Sequence, residues 1–110
     1  MAKTASADRL DEILHALSDP TRRELLMTVV RRPRTVTELA RPYPTSLNAI
    51  SKHLKVLEGA RLIRRRRVGT RHHISAEENG LAPLDQWMAA YRKGWASALD
   101  SLERFLEDRP

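Results

Sequence analysis

The stretch SLNAISKHLKVLEGARLIRRRRVGTRHHIS, from Ser46 to Ser75, narrows the possible folds more than any other part of the chain. Its first half predicts an amphipathic helix, because apolar residues recur there at spacings of three, four and three. These residues are Leu47, Ile50, Leu54 and Leu57. Two strand-like segments, Leu62 to Val68 and Arg71 to Ser75, follow around Gly69-Thr70, and a leading glycine favours a type II′ hairpin. A polar-tipped helix directly before a basic hairpin is therefore expected.

Three helices are predicted upstream of this stretch. Ser18-Asp19-Pro20 separates the first two: Ser18 or Asp19 can cap the second helix, and Pro20 suits its first turn. Thr35 to Glu38 has the capping-box pattern of a third, short helix, and Thr45 or Ser46 caps the helix after it. Residues 1–7 are expected to be a flexible start. The apolar positions of the first two helices are Leu10, Ile13, Leu14, Leu17, Leu25, Leu26, Val29 and Val30.

A long helix is predicted from about Pro83 to Leu106. Its apolar residues alternate spacings of four and three over just over three heptads, as in a helix–helix seam. The seam comprises Leu84, Met88, Tyr91, Trp95, Ala98, Leu102 and Phe105. The aromatic stripe within it fits a core or dimer seam better than a ligand pocket. Residues 1–110 are expected to form one domain, and a partner subunit would add core to so small a chain.

Charge is concentrated in the middle of the chain. The net charge is +6, yet Arg31 to Arg71 alone holds twelve Lys or Arg against two acidic residues. From Leu81 onward there are four basic and five acidic residues. A basic segment beside a near-neutral one indicates that the first contacts a polyanion and the second contacts protein.

The basic segment carries the residue types that bind duplex DNA. A major groove about 12 Å wide admits one helix, whose N-terminal part reaches the base edges. Asn48 could pair with adenine and Lys52 or His53 with guanine, although His53 could equally be a partly buried helix residue. Strand alternation separates Arg64 and Arg66 from Arg65 and Arg67 without deciding which pair faces DNA. The candidate DNA-binding residues are Thr45, Ser46, Asn48, Ser51, Lys52, His53, Lys55, Arg64, Arg65, Arg66, Arg67 and Arg71.

Four segments together resemble the ArsR/SmtB family of bacterial winged-helix repressors. They are ALSDPTRRELL (Ala16 to Leu26), TVTELA (Thr35 to Ala40), SLNAISKHLKVLE (Ser46 to Glu58) and LIRRRRVGTRH (Leu62 to His72). The resemblance implies a mostly α winged helix-turn-helix fold with a β-hairpin wing, and a homodimer that binds operator DNA and blocks transcription. It also implies dimerisation through the first and last helices. The implied interface residues are Leu10, Ile13, Leu14, Leu17, Leu84, Met88, Tyr91, Trp95, Leu99, Leu102 and Phe105.

Departures from the family pattern narrow the resemblance. Metal sensors of the family carry a cysteine motif where this chain has TVTELA, and the chain has no cysteine. A second family metal site uses His on the last helix, which has none here. The cysteine-free branch is therefore the better match; no metal or cofactor is expected, and a small-molecule inducer is left open. The family often has glycine at Arg61, so either Gly59 ends the helix early or Arg61 is left-handed at a cost of about 1–2 kcal/mol.

Several function classes are disfavoured. No nucleophile elbow or phosphate-binding glycine loop is present, so an enzyme is not expected. No apolar run approaches the length of a membrane span, so a transmembrane helix is not expected. The resemblance implies a cytoplasmic, nucleoid-associated bacterial protein. Two alternatives to a sequence-specific regulator remain: a winged helix that binds an acidic protein partner, and a non-specific chromosome architectural protein.

Overall fold

The computed structural model describes residues 5–108, which form five helices and a small sheet of three strands. The helices are α1 (Ala5–Ala16), α2 (Pro20–Arg31), α3 (Val36–Ala40), α4 (Leu47–Gly59) and α5 (Ala82–Glu107). The strands are β1 (Arg34–Thr35), β2 (Ile63–Val68) and β3 (Arg71–Ala76), in the antiparallel order β1-β3-β2. This arrangement confirms the mostly helical fold with a hairpin wing. α1 already includes residues 5–7 of the expected flexible start, and residues 1–4 lie outside the described range.

Side-chain caps start three of the helices where the sequence predicts. The Asp19 carboxylate accepts the Arg22 N–H at 3.0 Å, with Pro20 in the first turn of α2. Thr35 and Glu38 form the reciprocal capping box of α3. Ser46, rather than Thr45, caps α4 by accepting the Ala49 N–H at 3.1 Å. These caps set the starting residue of each helix and hence which faces turn inward.

The core lies where α1, α2, α3 and α4 meet the sheet. Ile50, Leu54 and Leu57 of α4 are fully buried, as the helix period predicts. Leu47 and Val30, which the sequence placed among the apolar positions of their helices and hence in the expected buried faces, are more than half exposed. Leu47 is the first residue of α4 and faces a surface groove, one turn before the helix reaches the core. Periodicity identifies the apolar face of a helix, but it does not show which part of that face a neighbouring element covers.

The hairpin forms at the predicted loop. Gly69 has a φ of +64°, whereas Thr70 does not have a positive φ, and this combination matches a type II′ turn. β1 was not predicted: Arg34 pairs with Ile74 and Thr35 with His73, which adds a third strand beside β3. A two-residue strand is too short to show an alternating pattern. β1 ties the start of α3 to the wing.

Arg61 closes the carboxyl end of α4 in a left-handed conformation, with a φ of 60°. Its N–H bonds the Glu58 carbonyl at 3.0 Å, and the Leu62 N–H bonds the Leu57 carbonyl at 3.1 Å. This pair of bonds is a Schellman motif with arginine at the position that usually holds glycine. α4 continues through Gly59, so the left-handed alternative for Arg61 is the correct one.

Replacing Arg61 by glycine should raise the free energy of unfolding. Glycine would relieve the cost of a left-handed L-residue, which is about 1–2 kcal/mol. Glycine also gives the unfolded chain more conformational entropy, which offsets part of that gain, so a net stabilisation of about 1 kcal/mol is expected. Urea unfolding at one fixed protein concentration measures it. Lys55→Gly, at an exposed position inside α4, is the matched control and should destabilise by about 1 kcal/mol. A loss of stability in Arg61→Gly would contradict backbone strain at this position.

α5 extends away from the rest of the molecule. The molecule measures 74 × 32 × 21 Å and has a radius of gyration of 19.6 Å. A compact domain of this length has a radius of gyration of about 13 Å. α5 packs against α1, yet every residue from Asp85 to Asp108 is exposed. None of the helices within residues 5–108 has the length and apolar character needed to cross a bilayer.

Candidate nucleic-acid interface

A groove of about 1000 Å³ runs between the start of α3, the start of α4 and the wing. It is lined by five of the predicted DNA-binding residues, which come from two separate segments of the chain. These are Ser46, Asn48, Ser51, Arg65 and Arg71. Thr45, Lys52, Lys55, Arg64, Arg66 and Arg67 are exposed but lie outside its lining. The groove thus joins the polar tip of a helix to the loop and neighbouring strand residues of a basic hairpin.

The outward face of α4 carries a polar set opposite to its buried ridge. Asn48, Ser51, Lys52 and Lys55 fall within an arc of about 100° at 3.6 residues per turn. Asn48 and the two lysines are exposed, and Ser51 is half-buried at the groove wall. The hydroxyl oxygen of Ser46 is already engaged as the helix cap. Asn48 and Ser51 are therefore the residues of this face that both line the groove and have no capping role.

The wing arginines differ in their surroundings. Arg65 stands opposite the fully buried Ile74 in the register, and its side chain is only 20% exposed. Its Nε lies 3.7 Å from an oxygen of Glu58 on α4, and its Nη2 has no hydrogen-bond partner within residues 5–108. Arg66 is exposed on the other face of the strand. Arg65 thus links the wing to α4, whereas Arg66 presents a free charge to solvent.

The remaining wing arginines are held near the surface. Arg64 lies 3.8 Å from a carboxylate oxygen of Glu77, and its side chain is largely exposed. Arg67 donates from its Nε to the Gly69 carbonyl at 3.0 Å across the turn. An exposed ion pair such as that of Arg64 contributes little to stability, so this guanidinium can exchange partners at low cost.

Several groove residues were not among the predicted DNA-binding residues, and Thr37 and Arg41 are two of them. Thr37 and Arg41 lie on and just after α3, and both line the groove. Arg41 was counted in the basic segment but not assigned, because its position one residue before Pro42 gave no helical face. His72 also lines the groove, with its Nδ1 buried and lacking a hydrogen-bond partner among the described residues.

His53 lies on the other flank of α4, away from the groove. Its Nδ1 is 3.3 Å from the Nη1 of Arg22 and 4.0 Å from a carboxylate oxygen of Asp19. Its side chain is 28% exposed. This placement favours the partly buried alternative for His53 over a base contact. The reason is rotational: residue 53 follows Lys52 by about 100° around the helix, which carries it toward α2.

The residues implied in dimerisation divide into three groups. Ile13 is fully buried in the protomer core, so it cannot contact a partner, because α1 turns this residue toward the core. Leu10, Leu17 and Leu84 are half-buried. The others are about half exposed: Leu14, Met88, Tyr91, Trp95, Leu99, Leu102 and Phe105.

The exposed apolar residues of α5 form a continuous stripe. Trp87 and Leu106 widen the predicted seam to an arc of about 120° around the helix, broader than a two-helix seam. The Trp87 and Tyr91 rings stack at 5.5 Å, and Tyr91 meets Trp95 edge-on at 6.4 Å. Aromatic groups of this size are costly to leave in water. No cluster of three or more potential metal ligands occurs within residues 5–108.

Comparison with known sequences connects this geometry to transcriptional regulators. Residues 17–66 match a family model described as a helix-turn-helix domain. The chain is 40% identical to the HTH-type transcriptional regulator Rv2034 of Mycobacterium tuberculosis over 95 residues, 83% of this chain and 89% of the relative. It is 30% identical over 79 residues to the transcriptional repressor SdpR of Bacillus subtilis, 72% of this chain and 88% of the relative.

Solved structures share the fold. The crystal structure of the ArsR family transcriptional regulator RHA00566 superposes with a TM-score of 0.79 at 34% identity, covering 88% of this chain and 98% of that one. A homodimeric winged helix-turn-helix DNA-binding domain from Mycobacterium bovis superposes with a TM-score of 0.65 at 22% identity, covering 89% of this chain and 95% of that one. The second likeness concerns the fold alone.

Proposed function

The chain belongs to the ArsR/SmtB family of DNA-binding transcriptional regulators, and from this premise we propose that it is a homodimeric repressor of an inverted-repeat operator. The groove between α4 and the wing is the observation that carries the proposal, because it brings Asn48 and Ser51 beside Arg65 and Arg71. Amide and hydroxyl groups can distinguish base edges, while guanidiniums bind phosphates without regard to sequence. The name of the relative SdpR, a transcriptional repressor, supports repression as the mode.

The DNA contacts divide by side-chain chemistry. Asn48 and Ser51 contact bases in the major groove, with Lys52 and Lys55 beside them. Arg66, Arg67 and Arg71 contact phosphates or the minor groove. Thr37 and Arg41, added by the structure, contact the backbone at the opposite edge of the groove. The excess positive charge of the Arg31–Arg71 segment steers the whole surface toward DNA.

Dimerisation follows from the uncovered face of α5. An exposed stripe of about 120° exceeds what a monomeric helix in water normally carries, and a second copy of the helix would cover it. The homodimeric neighbour from Mycobacterium bovis supports this assembly. A twofold dimer places its two recognition helices about one helical turn, or roughly 34 Å, apart, so the operator is an inverted repeat.

Fluorescence anisotropy tests the proposal. The protein is titrated against the duplex directly upstream of its own gene and against a scrambled duplex, at about 50 and 200 mM salt. Tighter binding to the upstream duplex by about a thousandfold or more establishes specific recognition. Equal, salt-sensitive binding to both would fit an architectural protein, and no binding at low salt would favour an acidic protein partner.

Asn48→Ala and Arg66→Ala should weaken DNA binding in different ways. Asn48→Ala removes a base contact, so affinity for the operator should fall by about 1–3 kcal/mol while affinity for scrambled DNA is kept. Arg66→Ala removes a phosphate contact, so binding to both duplexes should weaken and the salt slope should fall by about one. Anisotropy at several salt concentrations measures both. Identical behaviour of the two variants on both duplexes would refute the division.

A further inference from the structure

Arg22 connects three helices through its single side chain. Its Nε donates to the Ala16 carbonyl at 2.8 Å, and its Nη2 donates to the His15 carbonyl at 3.1 Å. Both acceptors lie at the carboxyl end of α1, where helix carbonyls lack partners within the helix. Its Nη1 lies 3.3 Å from the Nδ1 of His53 on α4. We name this arrangement the Arg22–His53 bridge.

The chemistry of the bridge determines its hydrogen-bond direction. A guanidinium has five N–H donors and no acceptor, and it stays charged in proteins. In this hydrogen bond Arg22 is therefore the donor and the Nδ1 of His53 is the acceptor. Asp19 completes the cluster: its carboxylate accepts the Arg22 backbone N–H at 3.0 Å. This bond holds the pKa of Asp19 below its ordinary value, and the positive charge of Arg22 acts in the same direction.

The bridge acts on α4 in a way that the core does not. Ile50 and Leu54 hold α4 against the core through apolar contacts, which are not directional. A hydrogen bond requires both distance and angle, so the bridge at residue 53 restrains the rotation of α4 about its own axis. That rotation decides where Asn48 and Ser51 point. The two ends of the bridge thus connect the recognition face to α1.

We propose that Arg22 and His53 are positioning residues that set which half-site spacing the dimer accepts. The bridge fixes α4 relative to α1, and α1 packs against α5, whose apolar stripe is the dimer interface in the function proposed above. The proposal rests on the dimeric repressor function proposed above. In this proposal neither Arg22 nor His53 contacts DNA. Loss of the bridge allows α4 to turn, so that half-sites at the wrong spacing are no longer rejected.

The probe is a duplex recovered by in vitro selection with the unmodified protein from a random-sequence library. Two further duplexes have one base pair inserted or deleted between the half-sites. This moves one half-site relative to the other by about 3.4 Å along the DNA axis and about 35° around it. The unmodified dimer should lose about a hundredfold on the altered duplexes, because both half-sites cannot be bound at once. His53→Leu lacks the hydrogen-bond acceptor, so its affinity for the altered duplexes should be less than about tenfold lower than its affinity for the selected duplex.

Two companion variants separate positioning from folding. His53→Asn places its carbonyl oxygen near the former Nδ1 and should restore the spacing preference. Arg22→Lys keeps the positive charge, but its single nitrogen cannot reach all three acceptors of Arg22, so it should behave like His53→Leu. If His53→Leu does not fold, Arg22→Lys takes its place in the test. Size-exclusion chromatography establishes that each variant is a dimer.

The outcomes distinguish the two proposals. An inverted repeat selected by the unmodified protein, with full spacing preference kept in both His53→Leu and Arg22→Lys, would overturn the bridge but not the repressor. Selection of a single asymmetric site would remove the dimeric repressor, and the bridge's role with it. A reduced preference in both variants, restored by His53→Asn, would establish the positioning role.

Discussion

Trp95→Glu is expected to convert the protein from a dimer to a monomer and to reduce operator affinity by about a hundredfold or more. Trp95 is 56% exposed near the middle of the α5 stripe, and its indole contacts Tyr91. A carboxylate there would be buried opposite its own copy across a twofold interface, and an unpaired buried charge is very costly. A monomer binds only one half-site, which removes the gain from linked binding. Analytical ultracentrifugation and anisotropy on the operator measure the two effects.

Ser97→Glu is the matched control for this variant. It adds the same charge to the same exposed helix, but two residues further along, about 200° around the axis and outside the apolar stripe. It should remain dimeric and bind the operator as before. A dimeric Trp95→Glu, or dissociation of both variants alike, would show that the stripe is not the dimer interface.

Leu54→Ala should lower the free energy of unfolding by about 2–5 kcal/mol. Leu54 is fully buried in α4, so the truncation removes apolar contacts and leaves a cavity. This is a large share of the 5–15 kcal/mol that stabilises a typical domain. Urea unfolding at a single protein concentration is the measurement, because the stability of a dimer depends on concentration.

Val30→Ala provides the comparison for Leu54→Ala. Val30 is 56% exposed at the end of α2, so removing two methyl groups there should change stability by less than about 0.5 kcal/mol. Similar losses in both variants would mean that α4 is not anchored through its buried ridge.

Local signals predicted most of the fold. The capping box at Thr35, the cap and proline at the start of α2 and the loop at Gly69 each involve neighbouring residues, so their chemistry is visible in the sequence. β1 was missed because a strand of two residues is too short to show an alternation of apolar and polar side chains. Ile13 was misassigned because periodicity shows that a helix face is apolar but not whether its own chain or a partner covers it.

The candidate site was only partly predictable for a related reason. Asn48, Ser51 and the wing arginines stood out by their types and spacing. Thr37 and Arg41 joined them only through the packing of α3 beside the wing, which depends on contacts distant in sequence. The sequence left two alternatives for His53 because its residue type suits guanine, whereas its direction from α4 depends on where α2 packs.

The uncovered length of α5 has a consequence for how gene expression would respond to the amount of this protein. If the chain binds its operator only as a pair, the concentration of the active species varies with the square of the chain concentration while most chains are unpaired. Where the operator is also mostly unoccupied, halving the chain concentration would then reduce operator occupancy about fourfold. A modest change in expression would thus be amplified without any ligand, through mass action on the face of one helix.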